Sequence, residues 1–462
     1  MKVYFESYGC TLNFGETRMM KEITLSSGHE IVERPIQSDV IVIVTCTVVS
    51  HTESMIVRRI RELLKLHRPI VVGGCMASAQ PKLLESISDK LILLPPHEIK
   101  DIAKKFDEII KDKIRTDNEV KVEGKRTNCD KKREKRTKKC VMQKVELVEL
   151  QNVEFQDIEP HKHSEDSLDS FDAIIPICNG CNGECTYCIT RLARGKLRSY
   201  PFDIIVEQAR NALARGQKEL RLTAQDTAAY GLDLETGIRL PELVKAISHL
   251  GGNDYRIRLG MMNPNTATEI IDGLIDVYKE ENVYKFAHIP VQSGDDEILK
   301  MMGRRYTSYE YRSLISRLRD AHPELSLSTD VIAGFPGETE TQFENTCKLI
   351  EEVKPDIINI KGFSPRAGTK AALLPRLHKD IIKSRTKVLT EIRNRISYEK
   401  YKGMIGRKVR AFVVEHGKRK DTRMCRTDNY IMVVVKGEYD LGDFVDVEIT
   451  DATHWYLTGR VL

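Results

Sequence analysis

The sequence predicts an α/β protein in three parts: an N-terminal doubly wound α/β unit, a central partial barrel of six βα repeats, and a small C-terminal all-β barrel. Three observations predict it. Residues 1–110 alternate β-branched runs with a helical pattern, 171–375 repeat that alternation, and from Gly406 onward only short strands and turns remain.

Lys2–Glu6 reads as a first strand, Asp39–Thr45 (DVIVIVT) as a fully buried parallel strand, and Pro69–Val72 as a third. Between the last two, Ile56, Ile60, Leu63 and Leu64 recur at helical spacing. From 112 to 170 the pattern breaks. Lys121–Lys144 holds eleven Lys or Arg against three Asp or Glu, and the chain then turns acidic through Glu146, Glu149, Glu154, Asp157 and Glu159. Such a composition cannot bury a core, so the segment reads as a charged linker. In the central part six strand-like runs follow: Ala173–Ile177, Glu219–Thr223, Tyr255–Gly260, Lys285–Val291, Leu325–Ala333 and Ile357–Gly362. Six βα units are too few to close an eight-stranded barrel and fit a partial one. Lys379–Lys402 reads as a basic helix, and KVRAFVVEH, NYIMVVVKG, FVDVEIT and YLTGRVL supply the terminal barrel. The expected parts are 1–111, the linker 112–170, 171–401 and 402–462.

The chain has no run of 18 apolar residues and its first residues lack a long apolar stretch, so a soluble cytoplasmic protein is expected, with no membrane partner. In a reducing compartment its eleven cysteines argue for metal ligands or reactive thiols over disulfides. Cys347 and Cys425 stand alone and read as small buried apolar residues.

Two cysteine sets carry the chemistry. Cys181, Cys185 and Cys188 form a C-x3-C-x2-C run directly after the first central strand. Three thiolates on one loop can hold a 4Fe-4S cluster and leave its fourth iron open. An open iron can bind the amine and carboxylate of S-adenosylmethionine, whose reductive cleavage gives a 5′-deoxyadenosyl radical. The competing reading is a zinc knuckle, with Cys178 as a fourth ligand. The second set is Cys10, Cys46 and Cys75. Each follows one N-terminal strand, and the carboxyl ends of neighbouring parallel strands share one edge where ligands bind. The competing reading is three buried thiols. Other candidates sit at central strand ends, where barrel enzymes place active sites: Thr223–Asp226, His288–Ser293 and the Gly-rich turn Asp330–Glu338. The candidate cofactor contacts are Tyr187, Gln225, Asp226, His288, Gln292, Asp330 and Gly334. Asp226, Gln292 and Arg366 are candidates for the methionine part. His288 reads equally as a satisfied core histidine.

The segments YGCTLNFGE, IVTCTVVSHTE, VVGGCMASAQP, GCNGECTYCITRLARGKLRSYP, AQDTAAYG, HIPVQSGDDEILKMMGRRYT, STDVIAGFPGETETQFE and FSPRAGTKAA, in this order, resemble the radical S-adenosylmethionine methylthiotransferases, over nearly all the chain except 112–170. There the connection is longer and more charged than is usual in the family. The C-terminal part resembles the TRAM module, an RNA-binding barrel. The resemblance implies a radical cluster on Cys181, Cys185 and Cys188 and an auxiliary 4Fe-4S cluster on Cys10, Cys46 and Cys75. It also implies two uses of S-adenosylmethionine, as methyl donor and as radical source, and an external electron donor. Among the branches, the chain looks most like the archaeal and eukaryotic type that modifies N6-threonylcarbamoyladenosine at position 37 of tRNA. The alternatives are isopentenyladenosine in tRNA, an aspartate of a ribosomal protein, or an RNA-binding iron–sulfur protein without turnover. A monomer is expected. Local charge agrees with an RNA partner: Gly406–Arg426 carries eight basic residues against two acidic.

Overall fold

Five parallel strands open the chain: β1 (Lys2–Ser7), β2 (Glu30–Val32), β3 (Val40–Thr45), β4 (Ile70–Gly74) and β5 (Leu91–Leu94), in the order β2-β1-β3-β4-β5. The computed structural model describes residues 1–48, 50–111, 171–252 and 254–462, so the expected linker 112–170, with Cys129, Cys140 and the basic stretch, lies outside the described residues. The order reverses direction between β1 and β3, as a doubly wound sheet must. Alternation along β3 explains its unbroken apolar run. Val40, Val42 and Val44 face Met20 of helix α1 (Thr11–Ser26), while Ile41 and Ile43 face Ile56, Ile60 and Leu63 of α2 (Ser50–Leu64). Strands β2 and β5 were not foreseen. They are edge strands of three and four residues, mostly half-exposed, and lack the buried run that marks the central three. Helices α3 (Cys75–Ala79) and α4 (Pro81–Ile87) follow β4.

The central part has its six strands where expected: β6 (Asp172–Pro176), then, after a small hairpin of β7 (Cys178–Asn179) and β8 (Arg198–Ser199), β9 (Glu219–Thr223), β10 (Arg256–Leu259), β11 (Phe286–His288), β12 (Ser326–Ala333) and β13 (Ile357–Gly362). They form two parallel triplets, β10-β9-β6 and β11-β12-β13. Single bridges at Ile257–Val283 and Met261–His288 join them, so the partial barrel is split along one seam. One apolar core, from Ile175 and Leu222 through Leu259 and Ile289 to Leu327 and Ile358, runs through both triplets. The free edge at β6 is covered by α1. Arg18 donates to the Asp172 carbonyl at 2.7 Å and to its carboxylate at 3.0 Å, and Gly15 lies where a methyl group would stand 2.8 Å from Ile174.

The last five strands, β14 (Lys408–His416), β15 (Thr422–Thr427), β16 (Met432–Lys436), β17 (Phe444–Ala452) and β18 (Leu457–Val461), close a barrel in the order β14-β15-β16-β18-β17. Strand β15 leaves no clear strand pattern in the sequence because TRMCRT is two-thirds polar; only Cys425 and Thr427 are buried. The barrel docks on the amino ends of the central strands. Arg256, at the start of β10, donates to Asp428 at 2.7 Å and stacks on Phe444, while Tyr430 packs on Tyr284 and Phe286 at the start of β11. The basic helix spans Lys379–Lys402 as expected. Its Ile382 lies against Gly334, whose φ of +74° is unfavourable for any side chain and whose added Cβ would come 2.6 Å from Ile382. Gly334→Ala is therefore expected to cost about 1–3 kcal/mol, seen as a lower urea midpoint. An unchanged midpoint would contradict this packing argument.

Candidate active site at the seam of the two α/β units

Cys181, Cys185 and Cys188 lie on the loop after β7 and line one cavity of about 420 Å³, together with Arg191, Thr369 and Lys370. The loop is propped from outside: Thr186 donates from its backbone to Met302 O at 2.9 Å and from its hydroxyl to Met301 O at 2.8 Å, and accepts from Ala371 N at 2.8 Å. Backbone N–H groups point at sulfur, Gly183 at Cys181 Sγ (3.2 Å) and Thr190 at Cys188 Sγ (3.4 Å). Gly183 leaves room for the sulfurs, since a Cβ there would sit 3.2 Å from Cys181 Sγ and 3.7 Å from Cys185 Sγ. Burial raises the Cys181 thiol to about 11 and also raises Cys188. Such thiols ionise only when a cation compensates them. Cys178 is turned away from this loop. It is fully buried in the barrel core and its Sγ donates to Asp226 O at 3.7 Å, so the zinc knuckle loses its fourth ligand. Among the described residues no three His, Cys, Asp or Glu side chains gather as around a single ion. A 4Fe-4S cluster holds its thiolates on separate irons.

Cys10, Cys46 and Cys75 follow β1, β3 and β4, three neighbouring parallel strands in register at Ser7–Val44 and Thr45–Gly74. Cys10 caps α1 and is exposed; Cys46 and Cys75 are buried. Cys75 starts α3 directly after Gly74, whose φ is +84° and whose added Cβ would meet Thr45 O at 2.5 Å. Burial pushes the Cys75 thiol up to about 12, against the pull of the nearby Arg194 charge.

Arg194 joins the two sets. It ends the short helix Thr190–Arg194 that follows Cys188, and this helix packs on α3. Its guanidinium donates to Glu16 at 2.6 and 2.9 Å, to Asn13 Oδ1 at 2.6 Å and to Asn179 Oδ1 at 3.0 Å, with Glu16 wholly buried. Its charge also acts on Cys10 and Cys75. Nearby, Arg366 Nη1 donates to Glu53 Oε2 at 3.3 Å, an oxygen that also accepts from Thr47 and Gln80. Sequence spacing assigns no role to Arg194, Glu16, Asn13 or Glu53. Asn13 and Glu16 fall three and six residues after Cys10, inside YGCTLNFGE, but nothing in spacing says that they pair with residue 194.

The remaining candidates divide. Tyr187 accepts from Arg304 Nη2 at 2.5 Å, and Arg304 Nη1 donates to Asn263 Oδ1 at 2.8 Å. Asp226 is buried, and burial raises its carboxyl even though Asn263 and Thr266 supply three hydrogen bonds of 2.8–3.0 Å. Both its oxygens are thus engaged, and it acts on the cysteine loop through Asn263, Arg304 and Tyr187. Gln225 keeps its buried Oε1 without a partner. His288 pairs with Asp330 at 3.0 Å, and Asn359 donates to the same oxygen at 2.8 Å. Burial works to raise Asp330, but His288, Asn359 and Arg304 together outweigh it and hold the carboxyl below its ordinary value. Gln292 adopts φ +68°, rare for a residue with a side chain, held by Gln292 N to Asp330 O at 2.8 Å. Gly334 serves helix packing, as described above. Cys425 is buried in the terminal barrel and Cys347 packs half-buried on the central core.

Comparison with known proteins gives three family matches: radical SAM superfamily over residues 175–350, the uncharacterized family UPF0004 over 2–94, and a TRAM domain over 402–462. The chain is 37% identical over 463 residues to a probable threonylcarbamoyladenosine tRNA methylthiotransferase of Pyrococcus horikoshii, covering 100% of both chains. It is 36% identical to one from Methanothermobacter thermautotrophicus, covering 99% of each. It is 30% identical over 466 residues to the threonylcarbamoyladenosine tRNA methylthiotransferase of Homo sapiens, covering 99% of this chain and 74% of the human one. In fold it resembles the radical S-adenosylmethionine methyltransferase TsrM of Kitasatospora setae, solved with cobalamin and a 4Fe-4S cluster, with a TM-score of 0.54 at 12% identity over 80% of this chain and 77% of that one.

The seam makes a stability prediction. Arg194→Met leaves Glu16 charged, buried and unpaired, an expected loss of about 3–5 kcal/mol. The double change with Glu16→Gln should recover part of it. Equal loss in single and double variants, measured by urea denaturation, would show that the pair does not couple.

Proposed function

Because the chain belongs to the threonylcarbamoyladenosine tRNA methylthiotransferase family, we propose that it converts N6-threonylcarbamoyladenosine at position 37 of tRNA into its 2-methylthio derivative, using S-adenosylmethionine and two 4Fe-4S clusters. The observation that carries this reading is two separate three-thiol sets facing one seam. Cys181, Cys185 and Cys188 would hold one cluster, and Cys10, Cys46 and Cys75 the other. Both donor sets fit, being three thiols each with cationic or N–H partners beside the sulfurs. When bound, the clusters supply the electron that cleaves S-adenosylmethionine and a sulfur to be methylated and transferred.

The chain's own residues do the rest. Arg194 locks the two sets at one distance, and its charge works against the burial that raises the Cys75 thiol. Asp226 orients Asn263, which holds Arg304, which steadies Tyr187 beside the radical set. Asp330 and Asn359 fix the His288 ring at the carboxyl end of β11.

An RNA substrate agrees with the layout. The terminal barrel docks at the amino ends of the central strands, whereas both cysteine sets lie at carboxyl ends. A molecule touching both must be long, which suits a tRNA and not a free nucleoside. The hairpin β14–β15 carries Lys408, Arg410, Lys418, Arg419, Lys420, Arg423 and Arg426, matching a phosphate backbone. Trp455 is 58% exposed with Arg393 stacked at 4.3 Å from its ring, a platform for a base. We assign residues 1–111 to the auxiliary cluster, 171–401 to the radical chemistry and 402–462 to RNA binding. The protein works as a cytoplasmic monomer supplied by an external one-electron donor. Among the described residues no helix is long and apolar enough to cross a membrane.

Anaerobically reconstituted protein should hold about eight irons per chain. Cys185→Ala should abolish reductive cleavage of S-adenosylmethionine. Cys46→Ala should keep that cleavage, hold about four irons and form no methylthio product; normal product from Cys46→Ala sinks the auxiliary assignment. Nucleoside mass spectrometry of tRNA from cells lacking the protein should show loss of 2-methylthio-threonylcarbamoyladenosine, and an unchanged level rules out this substrate.

A further inference from the structure

Arg366 stands between the two cysteine sets with three of its five N–H donors, on Nε and Nη2, unused. It follows the carboxyl end of β13. On one side its segment reaches the radical set: Thr369 and Lys370 line the cavity with Cys181, Cys185 and Cys188, and Ala371 N donates to Thr186 O. On the other side Arg366 reaches the auxiliary set, through Glu53 and within electrostatic range of Cys46. The residue is 6% exposed. Nη1 is engaged by Glu53, but Nε and Nη2 are buried with no partner. These two donors form one edge of the guanidinium, parallel and spaced to match the two oxygens of a carboxylate.

Two further buried atoms in this region lack partners. They are Ser78 Oγ and Gln80 Oε1, at the end of the helix that begins with Cys75. Gln80 is tied to Arg366 through their shared partner Glu53. Orphaned buried polar atoms are uncommon, and four on two neighbouring elements call for a common cause. A two-donor edge tied through Glu53 to a residue with a free amide oxygen, with a free hydroxyl two residues before it, offers the groups that complement an amino-acid moiety, which presents a carboxylate next to an N–H or O–H.

We propose that Arg366 binds side-on the carboxylate of an amino-acid moiety at the seam, with Gln80 Oε1 and Ser78 Oγ taking its neighbouring N–H or hydroxyl. The inference rests on the proposed reaction, which offers two such carboxylates: the threonyl group of the substrate nucleoside and the methionine part of S-adenosylmethionine. Arg366 is then the group that fixes the substrate's side chain, or the cofactor's tail, between the two cysteine sets.

The test compares binding of carboxylate and carboxamide forms to the reconstituted protein. One probe pair is an anticodon stem-loop bearing threonylcarbamoyladenosine and its threonine-amide analogue. The other is S-adenosylhomocysteine and its carboxamide. Wild-type protein should prefer the carboxylate of one pair by about tenfold to a hundredfold, the range of charge-assisted hydrogen bonds. Arg366→Gln should erase that preference with iron content unchanged, and Arg366→Lys, which keeps the charge but not the two-donor edge, should restore only part of it. The responding pair identifies the source. No preference in wild-type protein for either pair, the result if water fills the edge, overturns the proposal. So does a preference that survives both substitutions. If Arg366→Gln fails to fold, Arg366→Lys decides: an undiminished preference in that variant overturns the proposal. If the stem-loop is not methylthiolated at all, the reaction assigned above falls, while the S-adenosylhomocysteine arm still judges Arg366.

Discussion

A buried charge must be paired, and the pairing of Arg194 with Glu16 governs how this protein is assembled. The two residues belong to different α/β units, one on the helix after the radical cysteines and one on α1. Each alone would be a costly buried ion. Together, with Asn13 and Asn179 completing the guanidinium's bonds, they hold the two units in one placement. That placement brings α3, which starts at Cys75, against the helix that follows Cys188. The two cysteine sets are thereby held at a fixed spacing.

The chain reaches this arrangement with ordinary devices. Parallel strands deliver Cys10, Cys46 and Cys75 to one sheet edge, because neighbouring carboxyl ends coincide in register. Gly74 permits the turn into Cys75 because any side chain there would strike the Thr45 carbonyl. The radical loop needs outside support, since a thiol-bearing loop makes few bonds of its own. Met301 and Met302, at the end of the helix Asp296–Met301, and Ala371, in the short 3-10 helix Lys370–Leu373, provide it. The same α1 that begins at Cys10 also shields the open edge of the split barrel at β6. The position of Cys10 and the protection of the sheet edge thus depend on one helix.

The terminal barrel is fastened at the far end by Arg256, Tyr284, Phe286 and Tyr430, a mixed charged and aromatic contact. Its position makes reach a condition for any substrate: a long RNA can contact both ends of the molecule at once.

Much was legible in the sequence. The long buried strands β3 and β12, the strand β13, the Lys379–Lys402 helix and the C-x3-C-x2-C loop all follow from local periodicity or spacing, which the chain carries within a few residues. The edge strands β2 and β5 and the polar strand β15 did not show, because pairing, not composition, makes them strands. Cys178 illustrates the limit at one residue. Spacing offered it as a ligand, and only the fold turned its sulfur into the core. The pairing of residue 194 with residues 13 and 16, and of Arg366 with Glu53, spans more than 170 and 300 positions. Such pairs leave no periodic trace. They exist because two surfaces meet and bury their charges, so tertiary structure alone decided how the two cysteine sets face each other.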